Sequence, residues 1–126
     1  EDDAGNHHYL GYVIELPDVT IYHSGDCAPY PGQAAHLMGV DVALLPVNGR
    51  DAHRRANGVP GNFHFDEAVA LCVAAGIPTL VPHHWGMFSF NTADPDGFPL
   101  AEAGAQGVTV VVPKHAKTLH LGGAQR

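Results

Sequence analysis

Residues 40–47 read VDVALLPV, a nearly continuous apolar run broken by Asp41 alone. Such content suits a strand covered on both faces. Such strands belong to sheets with helices packed against them, so an α/β fold is expected. Upstream, residues 9–15 (YLGYVIE) and 19–23 (VTIYH) predict two strands joined at Pro17-Asp18, a hairpin. Ser24-Gly25-Asp26 breaks that pattern, and residues 33–38 allow one or two helical turns. Downstream, residues 48–62 carry Arg50, Arg54 and Arg55 with no apolar period and are expected to be a loop.

Residues 66–75 (DEAVALCVAA) have acids in the first turn, apolar Val69, Leu71, Cys72 and Val73, and Gly76 behind them, which predicts a helix. Residues 78–81 predict a short buried strand running into His83-His84-Trp85-Gly86. A loop is expected over 91–99, a helix over 100–106, a strand over 108–112 and a last, weaker strand over 117–121.

The chain has 126 residues, 45% of them hydrophobic and 15% charged, which fits one globular domain spanning 1–126. Thirteen acids against six bases leave a net charge of -7, a field that repels phosphate backbones and argues against nucleic acid. No apolar run approaches the roughly 18 residues of a membrane span. The acidic opening Glu1-Asp2-Asp3 is unlike a signal peptide, and Cys27 and Cys72 show no disulfide spacing, so a cytoplasmic location is expected. Ten histidines outnumber lysine and arginine combined, more than a surface requires.

Two clusters could carry chemistry, each directly after a predicted strand, where open α/β sheets place their sites. In His23-Ser24-Gly25-Asp26-Cys27 the carboxylate suits metal ligation or a general base, against the plainer role of capping a turn. In Pro82-His83-His84-Trp85 successive side chains point to opposite sides, so at most one histidine faces a given site. No HExxH, paired CxxC, HxHxDH, GxSxG or P-loop pattern occurs. Cys27 is a poor nucleophile beside Asp26, because a neighbouring carboxylate raises a thiol's pKa. Arg50, in Asn48-Gly49-Arg50-Asp51, has a fork suited to phosphate or carboxylate, although a solvated arginine is equally ordinary.

Taken together, Gly11-Tyr12-Val13-Ile14-Glu15 followed by Ile21-Tyr22-His23-Ser24-Gly25-Asp26 resembles the central hairpin and fourth motif of the metallo-β-lactamase superfamily. Leu44-Leu45-Pro46-Val47-Asn48-Gly49-Arg50, Gly61-Asn62, Glu67-Ala68, Pro82-His83-His84-Trp85 and residues 88–91 resemble its L-ascorbate-6-phosphate lactonase-like branch. The resemblance covers most of residues 5–95. It implies an αββα sandwich with one or two divalent metals, zinc or manganese, at the strand ends, activating a water for hydrolysis. By position it makes Asp26 the metal-bridging aspartate and the catalytic residue, and His84 the late histidine ligand. His23 and Trp85 become neighbours of the site, and Asn48, Arg50 and Asn91 candidate substrate contacts. The implied substrate is a small phosphorylated sugar lactone.

The superfamily's HxHxDH motif is missing, and Cys27 stands where threonine commonly follows the aspartate. The chain therefore resembles the C-terminal half of such a hydrolase. Two ligands cannot complete sites that need three or four groups each, so this chain alone is expected to be inactive. An exposed sheet face is expected to favour a homo-oligomer or a missing N-terminal half. The alternative is a non-catalytic remnant serving as an interaction module.

Overall fold

A computed structural model describes residues 2–121. The apolar run forms strand β3 (Val42–Pro46) at the centre of a five-stranded sheet with the order β1-β2-β3-β4-β5. The hairpin strands are β1 (Tyr12–Glu15) and β2 (Thr20–His23), paired antiparallel, with Leu16 N donating to Val19 O at 3.0 Å across the turn. Strands β4 (Thr79–His83) and β5 (Thr109–Val110) continue the sheet, and β2 to β5 run parallel. Asp41, the one polar residue in the run, accepts from Thr20 N at 2.8 Å and so ties the start of β2 to the start of β3.

Helices α1 (Gln33–His36), α3 (Phe65–Ala75) and α4 (Leu100–Ala105) occupy the crossovers, and a short α2 (Ala52–Ala56) precedes α3. Parallel crossovers are right-handed, so a strand order that never reverses places these connections on one side of the sheet. The core follows from that. Tyr22, Ala43, Leu45 and Leu80 alternate onto the helix side and pack with Ala68, Leu71, Cys72 and Ala75 of α3, which recur at helical spacing. Val73, grouped with the apolar residues of this helix by sequence, lies outside that stripe and is exposed. The helix stops at Gly76, whose φ of 71° permits the left-handed turn. The opposite side of the sheet carries Ile21, His23, Leu44 and His83, all half-buried. Every residue of β1 is exposed, Tyr12 at 60%, Val13 at 48% and Ile14 at 47%.

Three expectations need correction. Residues 117–121 are not a strand: they alternate in polarity, but no partner strand lies alongside among the described residues, and alternation without pairing does not make a sheet. The expected loop over 48–62 contains α2, started by Asp51, whose side chain accepts from Arg54 N at 2.8 Å. The strands expected over 9–15 and 108–112 shorten to Tyr12–Glu15 and Thr109–Val110, while that over 78–81 extends through Pro82 and His83. No described helix is long and apolar enough to cross a membrane.

Candidate functional site

The carboxyl ends of three adjacent parallel strands meet at one edge of the sheet, because His23 pairs with Leu44 and Pro46 with His83. Asp26 follows β2, Asn48 follows β3 and His84 follows β4. The structure brings Asp26 and His84 together, with His84 Nε2 3.0 Å from Asp26 Oδ1. His84 reaches it by leaving the strand in the left-handed region, φ 71°, one of two described non-glycine residues with positive φ. Such a conformation costs an L-residue about 1–2 kcal/mol and persists where surrounding contacts over-determine it.

His83 goes the other way. It completes β4 and stacks on His23 with ring centroids 5.0 Å apart. Its Nε2 is buried with no hydrogen-bond partner among the described residues. Burial pushes its pKa down to about 4, with His23 and His84 adding to the effect, so the ring is neutral at pH 7. His23 Nδ1 accepts from Gly25 N at 3.0 Å and shapes the turn that presents Asp26. Trp85 lies edge-on to Phe98 at 6.0 Å, and Phe98 stacks on Phe65 at 4.5 Å, which fastens the segment after His84 to the start of α3.

Asn48 and Asn91 are also brought together, with Asn48 Nδ2 donating to Asn91 Oδ1 at 2.7 Å. Arg50 is engaged within the chain. Its two terminal nitrogens clamp Glu67 at 2.6 and 2.7 Å, and Nη1 also donates to Asn62 O at 3.1 Å. That bidentate pair holds the Glu67 carboxyl at about 2. A carboxyl lowered in the folded state stabilises it fully above its ordinary 4.5 and loses that contribution as pH falls from 4.5 through about 2. The pair is about a quarter exposed, so solvent screening limits its worth to about 1 kcal/mol. Urea unfolding at pH 7 and pH 2 should show Glu67→Gln losing about 1 kcal/mol less over that interval than the parent chain. Equal losses would remove the pair from the stability account.

Sequence reasoning assigned no role to Asn62, Arg54 or Glu67. Asn62 and Glu67 stood inside the quoted motifs, while Arg54 had no signal beyond its charge. Cys27 and Cys72 are free, and burial raises both thiols, Cys72 to about 12.

One carboxylate and one imidazole suit zinc or manganese in kind. Their number is insufficient. Among the described residues no group of three or more histidine, cysteine, aspartate or glutamate side chains converges, so the chain by itself does not fit a complete metal site.

Residues 1–85 match a family model described as the β-lactamase superfamily domain. Among curated relatives, a UPF0173 metal-dependent hydrolase of Methanosphaerula palustris is 35% identical over 92 residues, 70% of this chain and 37% of the relative. Another, from Symbiobacterium thermophilum, is 32% identical over 120 residues, 89% of this chain and 49% of the relative. The chain thus spans less than half the length of either. Among solved structures, a metallo hydrolase from the archaeon Ignicoccus hospitalis superposes with a TM-score of 0.68 at 23% identity, covering 86% of this chain and 44% of that one. An isothiocyanate hydrolase from Delia radicum gut bacteria gives 0.65 at 16%, covering 90% and 44%. These two likenesses bear on the fold alone. The names of the relatives reach the level of metal-dependent hydrolase and stop short of the lactonase-like branch.

Proposed function

The chain belongs to the β-lactamase superfamily domain family, and from that membership we propose that it supplies part of the active site of a metal-dependent hydrolase. Asp26 and His84 are its metal donors and Asp26 its catalytic carboxylate. The observation carrying this reading is their convergence at 3.0 Å from the ends of two different strands, with His84 held in an unfavourable backbone conformation to reach it. The remaining donors come from polypeptide outside these 126 residues, so the chain alone does not hydrolyse substrate. Zinc and manganese both suit the pair. Asn48, Arg50 and Asn91 are the proposed substrate contacts, and the bonds they make within the chain orient them for it. The proposed substrate class is a phosphorylated sugar lactone such as L-ascorbate 6-phosphate, supported by the ordered motifs around Asn48-Gly49-Arg50 and Pro82-His83-His84-Trp85.

Paramagnetic Mn2+ tests the donor pair directly. Titrated into the isotope-labelled chain, it should broaden the His84 imidazole and the Cys27 amide, next to Asp26, together and with one weak affinity. Asp26→Asn should lower that affinity about tenfold or more, because two donors share the ion. Broadening centred on His7, His8 or His53 with His84 untouched would sink the assignment. It would instead favour the second reading, an interaction module, for which the exposed apolar β1 speaks.

A further inference from the structure

The Asp26 and His84 loops are joined by more than their own contact. Cys27 N donates to Asn62 Oδ1 at 2.8 Å, and Asn62 Nδ2 donates to Asn48 Oδ1 at 2.9 Å. Asn48 Nδ2 then donates to Asn91 Oδ1 at 2.7 Å. Arg54 Nη1 closes the far end, donating to Asn91 Oδ1 at 2.9 Å and to Asn48 O at 2.8 Å. Arg54 is itself held by Asp51 Oδ2 at 2.7 Å. Asn91 sits in the loop that follows His84. Its N donates to Phe88 O at 3.1 Å, and the adjacent Thr92 accepts from Gly86 N at 2.7 Å, which closes that loop upon itself.

We infer that Asn62, Asn48 and Asn91 form an oriented relay of positioning residues that keeps Asp26 and His84 in register. Asn62 and Asn48 each donate through the side-chain amide to the carbonyl oxygen of the next, so these dipoles align and strengthen one another. Asn48 and Asn62 are 2% and 4% exposed. A buried amide left with an unsatisfied group is destabilising, so loss of one link is felt along the path. Two of its links join residues 35 and 43 positions apart, with no covalent path between the two loops that is comparably short. The importance of that register for catalysis rests on the donor pair proposed above; the relay itself does not.

Asn91 offers a clean test, because its side chain enters these bonds only through its oxygen. Asn91→Asp keeps an acceptor for both Asn48 and Arg54, whereas Asn91→Ala removes it. Amide hydrogen exchange is followed at Cys27, at the far end of the relay, and at Leu80 in the core. The alanine variant should speed exchange at Cys27 about tenfold with Leu80 unchanged, and weaken Mn2+ at His84 and Cys27 in parallel. The aspartate variant should keep parental protection at Cys27. Unchanged Cys27 exchange in the alanine variant, or aspartate behaving as alanine does, overturns the relay. Should the alanine variant open globally, which Leu80 reports, the aspartate variant still decides. A parent chain whose His84 ignores Mn2+ counts against the metal reading and leaves the exchange result to judge the relay.

Discussion

Gly61→Ala is expected to destabilise the fold by about 2–5 kcal/mol, although it adds only one methyl group to a segment with the sequence character of a loop. Gly61 has φ +79°, which costs an L-residue about 1–2 kcal/mol. A Cβ there would also meet Arg50 Cβ, lie 2.7 Å from Gly49 O and come within 2.8 Å of Arg50 Cα. Two of these three atoms are backbone, so no side-chain rotation relieves the clash, and overpacking of this kind adds about 1–3 kcal/mol. The carbonyl in the way is the one that accepts from Asn62 N at 3.0 Å, so the strain falls on the segment that carries Asn62. Thermal melting should show a fall of about 10 °C or more for a chain of this size. A midpoint within about 3 °C of the parent would mean that residues 49–50 and 61 separate more easily than their packing indicates.

Phe63→Ala should cost about 3–5 kcal/mol in urea unfolding with an unchanged slope, a large part of the roughly 5–15 kcal/mol that holds a domain together. Phe63 is fully buried and belongs to the main apolar cluster. Its backbone is pinned on both sides, N donating to Cys27 O at 3.2 Å and O accepting from Gly49 N at 2.8 Å. Truncation therefore leaves a cavity that the neighbouring chain cannot easily collapse into. Phe90, 65% exposed, is the control, and Phe90→Ala should change stability by no more than about 0.5 kcal/mol. A Phe63 cost below about 1 kcal/mol would show that the core does not depend on this ring.

Gly61, Asn62 and Phe63 lie at the boundary of the stretch where sequence reasoning was least informative. Residues 48–62 have no apolar period and read as a loop. In the fold, Asn48, Asn62 and Phe63 are among the buried residues, and Arg50 and Arg54 bind partners within the chain. Buried asparagines leave no periodic trace, because their partners are set by tertiary approach and not by spacing. The error over 117–121 has the complementary cause. Local alternation was visible there, and the neighbouring strand it would require was not.

Sequence by itself determined the buried central strand, the amphipathic helix before Gly76 and the α/β order. Apolar periodicity and glycine stereochemistry act over a few residues and are written in the chain. The resemblance of its motifs pointed to Asp26 and His84 as the proposed donors. Tertiary structure alone decided that His84 reaches Asp26 through a left-handed backbone while His83 stacks on His23, that Arg50 pairs with Glu67, and that three asparagines join the two loops. Each of those outcomes depends on which strand ends lie side by side, and that is settled only when β2, β3 and β4 pair.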